Sequence, residues 1–191
     1  MADDDTEWKP VQWGASDKDA DIKYFNALGM NVNMWLWQSK GCNAAARILW
    51  DAYKSGAGPF HRFHRGVALM LAGYAAETLN KMVLIDAHLR TVMFPPAYAR
   101  LDKYFPKSHK LRDLAKEARL RINEHDRRTL DQLSKYVTWS GKYPAPLKAN
   151  DYDGPVAFAI KEEATAIDEL WIRYTRLWPK LLKQAGVRLR N

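Results

Sequence analysis

The sequence predicts an all-α protein, folded as an up-and-down bundle of about five to six helices. Two observations predict this fold class. Long segments repeat apolar residues every three or four positions, as one face of a helix requires, and no segment alternates apolar and polar residues between hairpin turns. The 191 residues are 47% hydrophobic and 27% charged, a balance typical of a globular domain rather than of a disordered chain.

The chain is expected to begin with an irregular arm over residues 1–16, followed by a single helical-bundle domain over residues 17–191. The arm is acidic, and Pro10 and Gly14 interrupt any periodicity in it. A short helix is expected over residues 17–28, because apolar residues recur there at three-residue spacing and Gly29 follows as a terminator.

Two long helices are predicted next. Residues 33–53 repeat apolar residues in helical rhythm until a glycine-rich stretch at 54–59 ends the helix, and Gly41 is expected to mark a local break within it. Residues 61–92 carry apolar side chains on nearly every face of their first half. Since a helix that is apolar all round is buried, this one is placed at the centre of the bundle.

Three further helices are predicted after the prolines at 95 and 96. The first covers residues 110–122, with the Ser108 hydroxyl as its cap, and the second covers residues 126–139, which a glycine and two prolines within residues 140–146 bring to an end. The last helix is predicted from near Pro155 to residues 185–186. Its buried stripe would consist of Leu170, Tyr174, Leu177, Leu181 and Ala185.

Composition excludes several classes of protein. The single cysteine, Cys42, permits neither an internal disulfide nor a thiolate zinc cage, and it is expected to be a small buried residue. The N-terminus is acidic where a secretory or transit signal is positively charged. The longest uncharged apolar run, residues 66–76, falls well short of the roughly 20 residues that a spanning helix needs. We therefore expect a cytoplasmic protein with no membrane partner.

No cofactor and no metal site are expected. His61 and His64 lie three residues apart, but Arg62 and Arg65 beside them oppose the binding of a dication, and no third ligand lies at matching spacing. The glycines at 56 and 58 lack the third glycine and the preceding strand of a dinucleotide-binding loop.

The positive charge is concentrated in one part of the chain. The net charge is +8, yet residues 1–60 carry more acidic than basic side chains. The excess of lysine and arginine lies in residues 100–128 and 171–191. Clustered cations of this kind are typical of phosphate-binding surfaces, so nucleic acid is a candidate partner; the alternative is that they form solvated helix faces in a basic protein.

Arg119 and His125 are the candidate catalytic pair. Metal-independent RNA cleavage needs a group that exchanges a proton near neutral pH and a fixed cation that stabilises the extra negative charge at phosphorus. Arg119 and His125 supply these two types with five residues between them. The alternative is a chance match within a basic segment.

Two other polar groups allow two interpretations each. Glu77 lies in the most apolar helix, where an ionised carboxylate needs a partner, and Lys81 one turn later is the obvious one; the functional alternative is a carboxylate that faces a pocket. His109 lies at a predicted helix start between Lys107 and Lys110, where it would either face a phosphate or dock the helix start on neighbouring elements.

Three segments together resemble the higher eukaryotes and prokaryotes nucleotide-binding (HEPN) domain family. Residues 68–81 (ALMLAGYAAETLNK) are similar to its small-residue-rich helix, which contains a Glu followed by a Lys. Residues 108–114 (SHKLRDL) are similar to its Gly-His-Asp-Leu helix start, and residues 140–144 (SGKYP) to its Gly-Arg-Tyr-Pro turn. The resemblance covers about residues 44–180. This chain departs from the family pattern at Ser108, Lys110 and Lys142, which replace Gly, Asp and Arg.

The resemblance implies a nucleotide- or RNA-binding protein, and in members that cut RNA it implies a dimer whose two subunits contribute an Arg and a His to a shared cleft. Arg119 and His125 match that pair in spacing. It further suggests a toxin or defence role with an antitoxin-like partner protein. The residues expected to bind nucleotide or RNA are Ser108, His109, Lys110, Arg121, Arg128, Lys142 and Tyr143.

Two other functions remain open from the residues alone. One is a non-catalytic helical interaction module, in which His109 and residues 140–146 are structural. The other is a small-molecule binder with a pocket lined by Trp35, Trp37 and Trp50, although packing in a helical core explains these side chains equally well.

Overall fold

A computed structural model describes residues 31–56, 61–91, 108–140 and 161–188, and 90% of these residues are helical. No strand occurs among them, which confirms the all-α helical bundle. The predicted arm over residues 1–16, the helix over residues 17–28, the turn over residues 141–146 and the start near Pro155 lie outside the described residues.

The helices are α1 (Val32–Ser55), α2 (His61–Thr91), α3 (Leu111–Glu117), α4 (Glu124–Lys135) and α5 (Lys161–Arg188), and a π-helical turn over Tyr136–Ser140 continues α4. Helix α2 contacts all the others as well as the π-helical turn, so the predicted central helix is confirmed. Along α5, the predicted stripe is buried: Leu170, Tyr174, Leu177, Leu181 and Ala185.

Helix α1 runs without interruption through Gly41, so the expectation of a local break was wrong. An isolated glycine costs a helix only about 1 kcal/mol relative to alanine, and the burial of Ala46 and Trp50 on the same helix outweighs that cost. The helix ends at Gly56, which adopts a left-handed conformation (φ 68°) without strain because glycine has no Cβ atom.

Gly73 lets α2 approach the end of α4 closely. A Cβ atom at this position would overlap the Val137 side chain and would lie 3.2 Å from the carbonyl oxygen of Leu133. Any larger residue would therefore push the π-helical turn away from α2.

Helix α3 is shorter than the predicted span over residues 110–122, because a backbone turn ends it at Glu117. The N–H of Leu120 donates to the carbonyl of Ala115, and the N–H of Arg119 donates to that of Lys116. This is the Schellman arrangement, with Arg119 at the left-handed position that glycine usually occupies. Burial of Leu120 fixes the turn.

Ser108 does not cap α3 as predicted. The N-cap residue is Lys110, which makes no capping bond with its side chain, while the Ser108 hydroxyl accepts from the Lys110 N–H two residues ahead. The hydroxyl of Ser134 on α4 accepts from the N–H of Leu111 instead. The first turn of α3 is therefore attached to α4 rather than to its own leading residues.

Helix α4 begins at Glu124, two residues earlier than predicted, because the Asn123 side chain accepts from the N–H of Asp126. Asp126 is buried, and Lys180 on α5 lies 3.1 Å from its carboxylate. This ion pair attaches the start of α4 to the last helix.

One segment of the described chain, Phe63–Arg90 within α2, is long and apolar enough to cross a membrane by length and composition. Of its most apolar window, 67% is buried inside the protein, as in the core helix of a bundle.

Candidate nucleic-acid interface

A surface groove of about 810 Å³ lies between α3, α4 and the segment that joins them. It is called the basic groove here because cationic side chains dominate its lining. Its walls consist of Lys110, Arg112, Asp113, Lys116, Arg119, Leu120, Ile122, Arg127, Asp131 and Ser134. Five of these side chains are cationic and two are acidic.

The cations of the basic groove differ in how they are paired. Arg112 donates to the Asp131 carboxylate at 3.1 Å, and Asp131 raises the pKa of the Arg112 guanidinium by this bond and by its charge. Arg127 lies 3.4 Å from a carboxylate oxygen of Glu124. Lys110 and Lys116 make no ion pair within the part of the chain that the structure describes. These two ammonium groups are the charges that an incoming anion meets uncompensated.

Arg119 lies in the groove wall in a strained backbone conformation. Its φ of 53° is the one left-handed non-glycine value among the described residues. For a residue with a side chain this conformation costs roughly 1–2 kcal/mol. The turn places the guanidinium at the groove between the end of α3 and the start of α4.

His125 is exposed in the first turn of α4 and is not among the residues that line the groove. Successive helical residues are about 100° apart around the axis, so His125 lies about 160° from Arg127, which does face the groove. Within one chain, Arg119 therefore lines the groove and His125 lies on the side of α4 away from it. The two side chains do not line one cleft within a single chain. Their joint catalytic role stays a prediction.

The other predicted binding residues divide into four groups. Lys110 lines the groove, and Arg121 and Arg128 are exposed outside its lining. Ser108 is half-buried and is also not among the lining residues. Lys142 and Tyr143 lie outside the described residues.

His109 lies against α2 instead of in the groove. Its Nδ1 atom is 3.0 Å from Oε2 and 3.2 Å from Oε1 of Glu77, and Lys81 Nζ is 2.5 Å from Oε1. The Glu77–Lys81 pair is therefore present as predicted. Of the two interpretations of His109, this geometry favours docking of the helix start. Glu77, Lys81 and His109 are called the Glu77 cluster below.

Several groove residues were missed at the sequence level: Arg112, Lys116, Arg127 and Asp131. A local signal for them exists. Arg112 and Lys116 are four residues apart on α3, and Arg127 and Asp131 are four apart on α4, so each pair lies on one helix face. Helical periodicity does not show that these two helix faces meet at one groove.

The three tryptophans considered for a small-molecule pocket do not share one. Trp50 is buried and stacks on Trp171 at a centroid distance of 4.6 Å, while Trp37 is 67% exposed on another face of α1. Cys42 is half-buried rather than fully buried, and burial raises the pKa of its thiol.

Among the described residues, no group of three or more His, Cys, Asp and Glu side chains could hold a metal ion. His64 has a buried Nδ1 atom without a hydrogen-bond partner there, and it belongs to no such group.

Comparison of this chain with family models, with curated proteins and with solved structures finds no match.

Proposed function

We propose that this protein binds RNA through the phosphates of a single strand seated in the basic groove. The observation that carries the proposal is the convergence of five cationic side chains on one groove that has two acidic ones. Lysine and arginine at such a surface displace condensed counterions from a polyanion, and this release drives binding.

The individual side chains support phosphate as the ligand. Lys110 and Lys116 act as unpaired point charges, and Arg112 and Arg119 present planar guanidinium groups that can bond two oxygens of one phosphate. Arg119 keeps a costly backbone conformation at a position where glycine would be unstrained. A strained residue held in a groove wall supports a binding role for its side chain.

The family resemblance supplies RNA as the class of polyanion. Two of the three segments that carry it contact each other, since Glu77 and Lys81 of residues 68–81 meet His109 of residues 108–114. The same resemblance supports a metal-independent endoribonuclease of a toxin or defence type as the activity, with an antitoxin-like protein as a further partner. Arg119 would then stabilise the charge at phosphorus.

The salt dependence of RNA affinity tests the binding proposal. Fluorescence anisotropy of a labelled single-stranded RNA of about 20 nucleotides is followed at increasing sodium chloride concentration. Contacts to three to five phosphates predict a slope of log K against log salt between about −2 and −3.5. No binding at low salt, or a slope near zero, contradicts the proposal. Parallel titrations with single-stranded DNA and with mononucleotides show whether the protein prefers RNA over these ligands.

A second candidate function, an interaction module, is favoured by an exposed apolar stripe on α1. Its members recur at alternating spacings of three and four residues: Met34, Trp37, Gly41, Ala44 and Ile48. Trp37 is 67% and Ile48 69% exposed. Large exposed side chains in one contiguous row are typical of protein interfaces.

For this stripe we propose a second copy of the chain as the partner. In an antiparallel pairing of two α1 helices about a two-fold axis near Ala44, Ile48 would lie over the open position of Gly41 in the other copy. Lys40 would then face Asp51 of the partner subunit, because these residues are eleven apart on one flank of the helix. Neither residue makes an ion pair among the described residues of its own chain.

Light scattering after size-exclusion chromatography tests this dimer. The wild type is expected at twice the chain mass at tens of micromolar, and Ile48→Glu is expected at the mass of one chain. Lys40→Glu should weaken the dimer, and the double variant Lys40→Glu/Asp51→Lys should restore it. A wild-type protein that stays monomeric, or a double variant no tighter than the single one, contradicts the pairing.

A further inference from the structure

The Glu77 cluster brings a buried carboxylate and an exposed imidazole together. Glu77 is 4% exposed, and its two oxygens are occupied by Lys81 and by Nδ1 of His109. The His109 side chain is 46% exposed. Since Nδ1 is turned toward α2, the other ring nitrogen, Nε2, lies on the opposite side of the ring.

This arrangement fixes the orientation of the imidazole and favours the tautomer that carries its proton on Nδ1. When the Nδ1–H group donates a hydrogen bond to the Glu77 carboxylate, the lone pair of Nε2 remains free to accept a proton. A carboxylate that holds a histidine in this way is the recurring support of a general base. Lys81 holds the Glu77 carboxylate in place, with its Nζ atom 2.5 Å from Oε1.

The Glu77 cluster is joined to the basic groove through the backbone of His109. His109 is followed directly by Lys110, which lines the groove in an extended backbone conformation (φ −77°, ψ 94°). Adjacent Cα atoms are about 3.8 Å apart, so the backbone of His109 borders the groove at Lys110 while its side chain lies against α2. The imidazole would therefore act on a strand that continues out of the groove past Lys110. The charged groups that face His109 are Glu77 and Lys81 on α2, with Lys110 next to it on its own segment.

We propose that His109, and not His125, is the proton acceptor for cleavage of an RNA strand bound in the basic groove, with Glu77 as its positioning residue. The inference rests on the proposed RNA binding and assigns the chemistry of that same site. It differs from the Arg119–His125 pair predicted from the sequence, because His125 lies on the side of α4 away from the groove, whereas His109 is the sequence neighbour of Lys110 in the groove wall.

The step balances without a metal or a redox partner. Nε2 of His109 takes the proton of a ribose 2′-hydroxyl, and the 2′-oxygen forms a bond to the adjacent phosphorus while the bond from phosphorus to the 5′-oxygen breaks. The leaving 5′-oxygen takes a proton from water, and His109 later returns its proton to solvent. The products are a 2′,3′-cyclic phosphate and a 5′-hydroxyl end. Lys110, the neighbour of His109, stabilises the added negative charge at phosphorus.

Single-turnover cleavage of a labelled RNA in the presence of EDTA tests the assignment, with RNA affinity measured separately on each variant. His109→Ala is expected to lower the cleavage rate at least about 100-fold, the usual contribution of a general base, while affinity changes less than about threefold. Added free imidazole should restore part of the lost rate, which a misfolded variant would not allow. His125→Ala is the matched comparison and should cleave at the wild-type rate.

Glu77→Gln tests the positioning role. It should lower the cleavage rate about tenfold or more and leave RNA affinity unchanged, since the amide can still bond but cannot stabilise the charged imidazole in the same way. Circular dichroism and a thermal melt verify folding.

Three results would overturn the assignment: a wild-type protein that binds RNA and leaves it intact, a His109→Ala variant that cleaves as fast as the wild type, or a loss of cleavage in His125→Ala alone. A wild-type protein that fails to bind RNA would instead refute the proposed function, so the two failures are distinguishable.

Discussion

The side-chain amide of Gln184 on α5 pairs with both backbone polar groups of Arg121. The N–H of Arg121 donates to Oε1 at 2.6 Å, and Nε2 donates to the Arg121 carbonyl at 2.8 Å. The segment between α3 and α4 is neither helix nor strand, so its backbone groups lack the hydrogen bonds that a regular element would supply. The two bonds from Gln184 replace them at Arg121. It holds in place the segment that carries Arg119 into the basic groove.

Gln184→Met keeps the length of the side chain and removes both bonds. Two exposed hydrogen bonds of about 0.5–1 kcal/mol each predict a loss of about 1–2 kcal/mol in the free energy of unfolding. RNA affinity should fall as well, because Arg119 loses its fixed position. Urea denaturation measures the first effect, and Lys183→Ala on the same helix is the control. Unchanged stability would show that the segment is held by other contacts.

Arg119→Gly should change stability and binding in opposite directions. Glycine removes the cost of the left-handed conformation, so the free energy of unfolding should rise by about 1 kcal/mol. The same substitution removes a groove cation and should weaken RNA binding. Arg119→Ala is the matched variant, since it loses the cation and keeps the strain. If both variants were equally stable, the conformation would carry no measurable strain.

Substitution by alanine is expected to have opposite effects on stability at two glycine positions. Gly41→Ala adds a methyl group into open space on an exposed helix face and should stabilise by about 1 kcal/mol. Gly73→Ala forces a methyl group against Val137 and should destabilise by about 1–3 kcal/mol. Thermal melts of the two variants at the same low protein concentration compare them. Equal shifts of the same sign would refute the close approach of α2 to α4.

Alkaline pH should destabilise the protein through Tyr174. Its hydroxyl donates to Asn43 at 2.7 Å, and burial raises its pKa above the ordinary value of 10.0. Above pH 10 the unfolded chain releases this proton and the folded chain keeps it, so the free energy of unfolding falls by about 1.4 kcal/mol per pH unit from this group. Below pH 10 the contribution is fully present.

Denaturation at several pH values between 8 and 11 measures this dependence. Tyr174→Phe is the control: it should lower stability by about 1 kcal/mol at pH 8, through the lost hydrogen bond, and show a shallower decline above pH 10. A decline as steep as that of the wild type would assign the alkaline effect to other tyrosines.

The long helices were predictable because their signals are local. The predicted span 33–53 corresponds to Val32–Ser55 and the span 61–92 to His61–Thr91, where apolar periodicity and a glycine-rich terminator suffice. The end of α3 was not predictable in this way. The Schellman turn has Arg119 at the position where a glycine in the sequence would have predicted the end of the helix. The turn is fixed by burial of Leu120, which depends on how the rest of the bundle packs.

The site was predictable as residue types and not as an arrangement. Clustered cations indicated a phosphate-binding surface, but the spacing of Arg119 and His125 did not indicate that Arg119 lines the basic groove and His125 lies outside its lining. The contact of Glu77 with His109 joins residues 32 apart in sequence, across two helices, and no helical period encodes such a distance. Only the packing of α3 onto α2 and α4 shows which charges meet.

The central claim is that the basic groove binds RNA, and the most direct measurement compares two double variants of equal charge. Lys110→Ala/Lys116→Ala removes the two unpaired cations of the groove, and Arg176→Ala/Lys183→Ala removes two exposed cations on α5, outside the groove. With labelled single-stranded RNA at 50 mM salt, the groove variant should bind at least about tenfold more weakly than the wild type and reduce the salt slope by about 1.4, while the control stays within about twofold. Equal losses in both variants would show that only net charge matters, and would contradict a binding site in the groove.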